Sequence, residues 1–328
     1  EIGLGIPAEP LFRSSVFLQT FGIILVVLGH SFYQFPSDTP FIRWIYGFHM
    51  PLFFFISGYL LKYVHGDLAH LQLSGRTGYM ARKARRLLVP YVVISSLFFV
   101  PKALMSRYSV RPIQLNLHDY LDQLLIPYHN VFGAYWFMPT LFLVFTVFIL
   151  ARKTLGRHAT TTGGMVALGA LGVVDCLMPF AKDSLLNIVG VVFYLFYFAL
   201  GYQYQASRLE TAIKKANAAM VFITTLALSV LLMYVPQGSL TDLLMALNGI
   251  LMSIGLALLY ERRGAHALDH LFGYTYTIYL YSGFFQIAAL QVLLHFVSLP
   301  PVVYVPLAFL MGLYGPWAMK KAWRKLRH

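Results

Sequence analysis

Long apolar runs separated by short polar segments dominate the chain. A helix that crosses the hydrocarbon of a bilayer needs about 20 mostly apolar residues. Runs of that kind predict ten spans, at residues 15–33, 41–61, 88–105, 135–150, 163–180, 185–203, 218–235, 240–260, 271–295 and 300–319. Several are short, and the fifth and sixth are also compatible with one re-entrant pair. The pattern therefore predicts an all-α integral membrane protein with about ten transmembrane helices, built as one domain over residues 1–328.

The composition excludes the class of ordinary soluble domains. Hydrophobic residues make up 59% of the 328 residues and charged residues 11%, whereas an average soluble domain has about 25% charged residues. So few charges cannot coat a water-soluble globule of this length. The chain has one cysteine, which excludes an intramolecular disulfide framework and a metal site built from several cysteines.

The distribution of the basic residues along the chain, which give it a net charge of +13, indicates the membrane topology. Lys and Arg residues concentrate in the cytoplasmic loops of membrane proteins. With the N-terminus placed in the cytoplasm, 20 of the 25 Lys and Arg residues fall on the cytoplasmic side; the other five are Arg43, Lys102, Arg107, Arg111 and Lys182. An even number of spans puts both termini in the cytoplasm. The basic excess thus indicates membrane orientation, with lipid as a partner, and not a nucleic-acid surface.

The longest outer connection covers residues 106–134. Long polar loops in an otherwise compact protein are functional or disordered. Aromatic and aliphatic residues are scattered through this connection, and they predict an ordered cap that packs on the membrane surface.

Two histidines enter the predicted bilayer from the same outer face. His30 lies near the outer end of the first span and His49 just inside the outer end of the second. Polar groups at membrane depth cost free energy, so each is a functional candidate, and a pair offers a base and a second donor. The plain alternative is a histidine hydrogen-bonded to a neighbouring helix. Asp38, in the loop between the spans, can orient one imidazole. We predict no metal, because a metal site needs further histidines or carboxylates nearby.

A basic run precedes the third span on the cytoplasmic side. Its members are Arg82, Lys83, Arg85 and Arg86. Such a run is an ordinary topology anchor or a contact for lipid phosphate. It also suits recognition of a phosphorylated ligand, because arginine forks bind phosphate through two hydrogen bonds.

Five segments resemble the acyltransferase 3 family, in particular its fucose 4-O-acetylase-like branch. They are residues 21–31 (FGIILVVLGHS), 48–60 (FHMPLFFFISGYL), 85–91 (RRLLVPY), 135–137 (YWF) and 274–280 (YTYTIYL). They follow one another in the family's order and extend over nearly the whole chain. The first two are specific when they occur together.

The resemblance implies a ten-span bacterial inner-membrane fold that moves acyl groups, often acetyl from acetyl-CoA, onto extracytoplasmic glycans. By the same resemblance, His30 matches the family's catalytic histidine, and Arg85 and Arg86 match basic residues that meet the acyl donor. Gln19 stands eleven residues before His30, where the family commonly has arginine, and Ser282 stands where the family often has histidine.

These observations together predict an integral-membrane O-acetyltransferase of exopolysaccharide biosynthesis. It would move acetyl from cytoplasmic acetyl-CoA to a sugar hydroxyl of an extracytoplasmic or lipid-linked glycan. In this hypothesis the thioester reaches into the helical bundle, His30 removes the hydroxyl proton, and His49 orients the substrate or stabilises the oxyanion. Direct transfer and an acetylated His30 intermediate both stay open. The residues predicted to contact the acceptor are Gln19, Asp38, Arg43 and Trp136.

Two functions from other classes are alternatives. A membrane carrier for a lipid-linked saccharide would use a similar cavity and aromatic residues, but it would need neither the His30 motif nor the basic run. An inactive membrane scaffold would show no turnover.

Overall fold

The computed structural model describes residues 10–32, 35–36, 38–66, 68, 71–73, 75, 78–104, 106, 112–155, 162–177, 183–296 and 300–326. Within them the chain forms twelve α-helices and no strand. The helices are α1 (Pro10–Ser31), α2 (Pro40–His65), α3 (Tyr79–Leu104), α4 (Leu117–Leu125), α5 (Phe137–Leu155), α6 (Thr162–Leu177), α7 (Ile188–Tyr204), α8 (Arg208–Lys215), α9 (Ala218–Met233), α10 (Ser239–Arg262), α11 (Thr275–Phe296) and α12 (Pro301–Leu326).

Each predicted span coincides with one helix, and the short helices α4 and α8 lie between spans. In the described part of the chain, seven helices are long and apolar enough to cross a membrane. The number is eight if α8 and α9, which meet at an angle of 103°, form one broken span. The all-α integral membrane class is therefore confirmed. The count of ten and the cytoplasmic termini stay predictions, and Arg107, Arg111 and Lys182 lie outside the described residues.

The first of two compact units comprises Glu1–Ile56 and Ala206–His328. Here α1 packs against α10, α11 and α12, and its buried residues Ile23, Val26 and Val27 join a core with Ile278 and Leu313. Such side chains fill the interior at high packing density, and van der Waals packing of this kind holds helices together in a membrane. These contacts hold the C-terminal half of α1, which leads to His30, in a fixed position.

The second unit comprises Ser57–Gln205. It contains the last turns of α2 together with α3–α7, and α7 packs against both α5 and α6. The backbones of α2 and α7 approach closely at Gly58, where an added Cβ would lie 1.9 Å from the carbonyl oxygen of Phe198. Small residues at helix interfaces permit this closeness in membrane proteins. A division into two units does not test the prediction of a single domain over residues 1–328.

The described part of the outer connection is an ordered cap on the second unit. It consists of α4 and two short 3-10 turns, Pro127–His129 and Gly133–Trp136. The Tyr91 hydroxyl of α3 donates to the carbonyl oxygens of Gln123 and Leu124, and the Asn130 amide donates to Ser95 Oγ at 2.7 Å. These hydrogen bonds attach the cap to α3. Separation of the cap from α3 would leave buried polar groups without partners, at a cost of about 1–3 kcal/mol each.

Candidate functional site

His30 lies one residue before the end of α1, at a place where α11 holds the helix. The Gln286 side-chain amide donates to the Val27 carbonyl oxygen at 2.8 Å and to Ser31 Oγ at 3.0 Å. Ser31 in turn donates to Val27. Gln286 is 4% exposed and Ser31 is fully buried, so this polar contact is shielded from solvent. It fixes the last turn of α1, and therefore the direction in which the His30 imidazole leaves the helix.

His49 is buried on α2 in a defined tautomer. Its Nδ1 lies 2.7 Å from the carbonyl oxygen of Ile45, and a carbonyl oxygen only accepts hydrogen bonds, so Nδ1 carries the proton. In the neutral ring, Nε2 is then an acceptor with a free lone pair. The predicted role of His49 as an oxyanion donor would require the protonated imidazolium. In its neutral form His49 suits orienting a hydroxyl donor.

The ring of Tyr46, a residue that the sequence pattern did not single out, is close to the rings of both histidines. Its ring centroid is 6.2 Å from that of His30 and 5.2 Å from that of His49, edge-on to both. A Cβ at Gly29 would lie 3.4 Å from Cζ of Tyr46, so the glycine before His30 leaves room for the phenol. The ring is 44% exposed. The two histidines thus share one neighbourhood, joined through an accessible phenol.

A spacing rule provides the signal that would have found Tyr46. Residues three apart on a helix are neighbours on its surface, and Tyr46 precedes His49 by three positions. Applied to the histidine motif, the rule brings a phenol and an imidazole to one side of α2. Together with His30 on α1, the group offers a proton acceptor and a hydroxyl donor, the two elements that acyl transfer to an alcohol requires.

The predicted acceptor residues Gln19 and Asp38 differ in their placement. Gln19 is half-buried on α1, three turns from His30 on the same face, which corresponds to about 16 Å along the axis. Asp38 is exposed in the connection between α1 and α2. Across the described residues, no hydrogen bond joins its carboxylate to either imidazole. Contact of both residues with the acceptor stays a prediction.

Arg43, in the first turn of α2, has a partly satisfied guanidinium group. Its Nη1 donates to the Met233 carbonyl oxygen at 3.3 Å, whereas Nε and Nη2 are buried and have no hydrogen-bond partner within the described structure. Two donors of this side chain are therefore unsatisfied but enclosed, and contact of Arg43 with the acceptor stays a prediction.

Trp136 belongs to the second unit and stacks with two tyrosine rings. The ring centroids of Tyr128 and Tyr194 lie 4.9 Å and 5.3 Å from that of Trp136. The indole is 9% exposed. Little of the indole is therefore open to a sugar ring, and the contact of Trp136 with the acceptor stays a prediction.

The predicted basic run forms the first two turns of α3, which the hydropathy pattern placed outside the span. Arg82, Arg85 and Arg86 are exposed. Lys83 turns inward, with Nζ 3.9 Å from the centre of the Phe145 ring and 5.3 Å from that of Tyr79, as expected for cation–π contacts.

Other helices of the second unit add cations to the same end. Nζ of Lys62 and the guanidinium carbon of Arg152 lie 5.5 Å and 5.7 Å from the Tyr202 ring, and Lys153 donates to the carbonyl oxygen of Leu71. We call Lys62, Arg82, Lys83, Arg85, Arg86, Arg152 and Lys153 the basic cluster. The described carboxylates of this unit, those of Asp119, Asp122 and Asp183, belong to the cap and the turn before α7. A concentration of positive charge of this kind attracts polyanionic ligands.

Residues suited to a metal ion are not grouped in the described structure. No set of three or more His, Cys, Asp or Glu side chains there has a metal-binding arrangement.

Comparison with known proteins identifies the class of chemistry. A family model described as an acyltransferase domain matches residues 17–321. The Nodulation protein NolL of Sinorhizobium fredii (strain NBRC 101917 / NGR234) is 29% identical over 204 residues, which are 60% of this chain and 49% of that protein. The matched part thus spans about half the length of this curated relative. No solved structure matches the chain.

Proposed function

Because the chain belongs to this acyltransferase family, we propose that it moves acetyl from cytoplasmic acetyl-CoA to a sugar hydroxyl. The acceptor is an extracytoplasmic or lipid-linked glycan, such as a bacterial exopolysaccharide or its repeat unit, and the membrane is the bacterial inner membrane. One observation supports the proposal: the rings of His30 and His49 both lie close to the ring of Tyr46 within one unit. This arrangement puts a base and a hydroxyl donor where an alcohol can be activated for attack on a thioester.

In the proposed reaction, the neutral His30 imidazole accepts the proton of the sugar hydroxyl while its oxygen attacks the thioester carbonyl carbon. The tetrahedral intermediate places negative charge on the former carbonyl oxygen. We assign the stabilising hydrogen bond to the Tyr46 hydroxyl, since neutral His49 has no Nε2 proton to donate. Collapse breaks the carbon–sulfur bond, and the leaving thiolate takes the proton from the His30 imidazolium. The products are the acetyl ester and free CoA.

A route through an acetylated His30 is the alternative for the same residues. The imidazole would attack the thioester first, release CoA, and pass the acetyl group to the sugar hydroxyl in a second step. Rapid mixing with labelled acetyl-CoA in the absence of acceptor distinguishes the two routes, because label on the protein arises only in the second.

The basic cluster supports a nucleotide donor. CoA carries a diphosphate and a phosphomonoester, and the exposed Arg85 and Arg86 offer planar forks of the kind that bind phosphate oxygens in pairs. A flexible coenzyme bound by its phosphates leaves its thioester arm free to reach a reacting group.

Transfer of labelled acetyl from acetyl-CoA to purified glycans in proteoliposomes tests the proposal directly. We expect label on the glycan with acetyl-CoA as donor and none with acetyl phosphate, which lacks the nucleotide. Absence of transfer to any acceptor, combined with movement of an unmodified lipid-linked saccharide across the bilayer, would favour the carrier function instead.

The variant Arg86→Gln is expected to raise KM for acetyl-CoA about 10-fold while kcat changes little, because hydrogen bonds to charged groups contribute about 1.5–3 kcal/mol. The increase should shrink at high salt, which screens exposed charges. Initial rates at varied acetyl-CoA concentration measure it. The exposed Lys215 of α8 supplies a matched control, and Lys215→Gln should leave KM unchanged. Equal KM values for Arg86→Gln and the native protein would contradict a donor site at this arginine.

A further inference from the structure

Arg43 lies near the predicted outer end of the second span. Two of its guanidinium nitrogens have no hydrogen-bond partner in the described structure. A guanidinium group has five N–H donors in a rigid planar fork and no acceptor. The Met233 carbonyl oxygen accepts from Nη1 at 3.3 Å, a long hydrogen bond. The buried Nε and Nη2 are without any hydrogen-bond partner in the described structure. Burial of an unpaired charged donor costs free energy, so this arrangement calls for an anion.

The one acidic group found near Arg43 in the described structure, Asp242, does not form an ion pair with it. The first turn of α2 contains no acidic residue. Asp242 of α10 is near enough to interact electrostatically with Arg43, but it is exposed and makes no ion pair with Arg43 within the described residues. Arg43 also lies at a helix N-terminus, where the helix dipole disfavours cations and favours anions. A purely structural arginine would be poorly placed here, whereas an arginine that receives a ligand would be well placed.

Arg43 belongs to the same unit as the two histidines. Arg43 precedes Tyr46 by three residues on α2, a separation of about 4.5 Å along the helix axis. A saccharide held at Arg43 would therefore need to extend by about one sugar ring to bring a hydroxyl group toward Tyr46 and His30.

We propose that Arg43 binds an anionic group of the acceptor, so that the protein selects an acidic or phosphate-linked saccharide. This inference rests on the proposed function. The Nε and Nη2 donors share one edge of the guanidinium plane, which matches two oxygens of a carboxylate or a phosphate. The carboxylate would come from a uronic acid or a similar acidic sugar, and the phosphate from a polyprenyl diphosphate linkage.

Two matched acceptor pairs distinguish these sources. One pair is a glucuronate-containing oligosaccharide and the same oligosaccharide with its carboxyl group reduced to an alcohol. The other is a polyprenyl-diphosphate-linked saccharide and the free saccharide released from it. Dissociation constants are measured without donor, in a phosphate-free detergent, for the native protein and Arg43→Gln. Acetyl transfer to the same compounds is measured separately, so the binding inference and the proposed enzymatic function are tested independently.

We expect the native protein to bind the anionic member of one pair about 10- to 100-fold more tightly, in keeping with the strength of charge-assisted hydrogen bonds. The Arg43→Gln variant should lose that preference. Arg43→Lys, which retains the charge without the fork, should keep part of it and checks that any loss is not simply unfolding. Lys102→Gln removes the other described cation of the predicted outer side and should retain the full preference.

Equal binding of both members in both pairs, or a preference that persists in Arg43→Gln, would overturn the inference while acetyl transfer could still stand. A thermal-stability difference between the native protein and Arg43→Gln that occurs only in the presence of phospholipid, without any acceptor preference, would assign the anion to bulk lipid and also overturn it. Preference without any acetyl transfer would support the acceptor site and remove the proposed enzymatic function.

Discussion

Replacement of His30 by alanine is expected to lower kcat for acetyl transfer about 10³-fold, within the range of about 10²–10⁴ for loss of a general base. Without the imidazole, the sugar hydroxyl has no partner at the end of α1 to take its proton as it attacks. KM for acetyl-CoA should change little, since the basic cluster belongs to other helices. Initial rates with labelled acetyl-CoA and a fixed glycan acceptor measure the effect.

Folding should survive the His30→Ala change. The ring is half-buried and its described contact is an edge interaction with Tyr46, while the end of α1 is held by Gln286 through other residues. Thermal unfolding should therefore resemble that of the native protein. His118→Ala serves as the control, because this cap histidine has a side chain that is 87% exposed. Full turnover by His30→Ala would remove His30 as the base, and His49 and Tyr46 would become the residues to test.

The hydrophobic pattern located helices better than it located their ends. All ten predicted spans coincide with a helix, because a long apolar run in a membrane has few alternatives to helical backbone. The third span was predicted to begin at residue 88, yet α3 begins at Tyr79. The hydrophobic pattern indicates only the part of a helix that lies in lipid. The charged turns with Arg82, Arg85 and Arg86 continue the same helix without contributing apolar residues.

Part of the candidate site could be predicted from the sequence. The two histidines were predicted to lie close together from their depth on adjacent helices, and both rings are near the same phenol, that of Tyr46. Tyr46 was not predicted, because an aromatic residue at a membrane interface is ordinarily a belt residue. The stacking of Tyr194 on Trp136 could not be predicted either, since Tyr194 lies far away in the chain and meets the indole through packing alone.

The basic cluster shows the same limit. The run from Arg82 to Arg86 is contiguous and therefore visible in the sequence. Lys62 and Arg152 join it through the Tyr202 ring of α7, which sequence spacing does not reveal. The orphaned guanidinium nitrogens of Arg43 are also a property of packing, because the sequence gives no indication of which carbonyl or carboxylate groups lie within reach.

The Gly58→Ala variant is expected to destabilise the second unit by about 3 kcal/mol or more, at the upper end of overpacking effects. The added Cβ would lie 1.9 Å from the Phe198 carbonyl oxygen and 3.1 Å from the Tyr202 amide nitrogen. Both neighbours are backbone atoms of α7, so no side-chain rotation relieves the overlap and the helices must move apart. Thermal unfolding in detergent, followed by the yield of monodisperse protein, measures the loss.

Gly169→Ala provides the control for Gly58→Ala, since it makes the same chemical change inside a helix. A Cβ at Gly169, on α6, would have no neighbour within 4 Å. Alanine is favoured over glycine in a helix interior by about 0.5–1 kcal/mol, so Gly169→Ala should be neutral or slightly stabilising. The opposite signs separate steric contact from helix propensity, because propensity alone would improve both variants. A Gly58→Ala protein as stable as Gly169→Ala would mean that α2 and α7 do not pack backbone to backbone at this position.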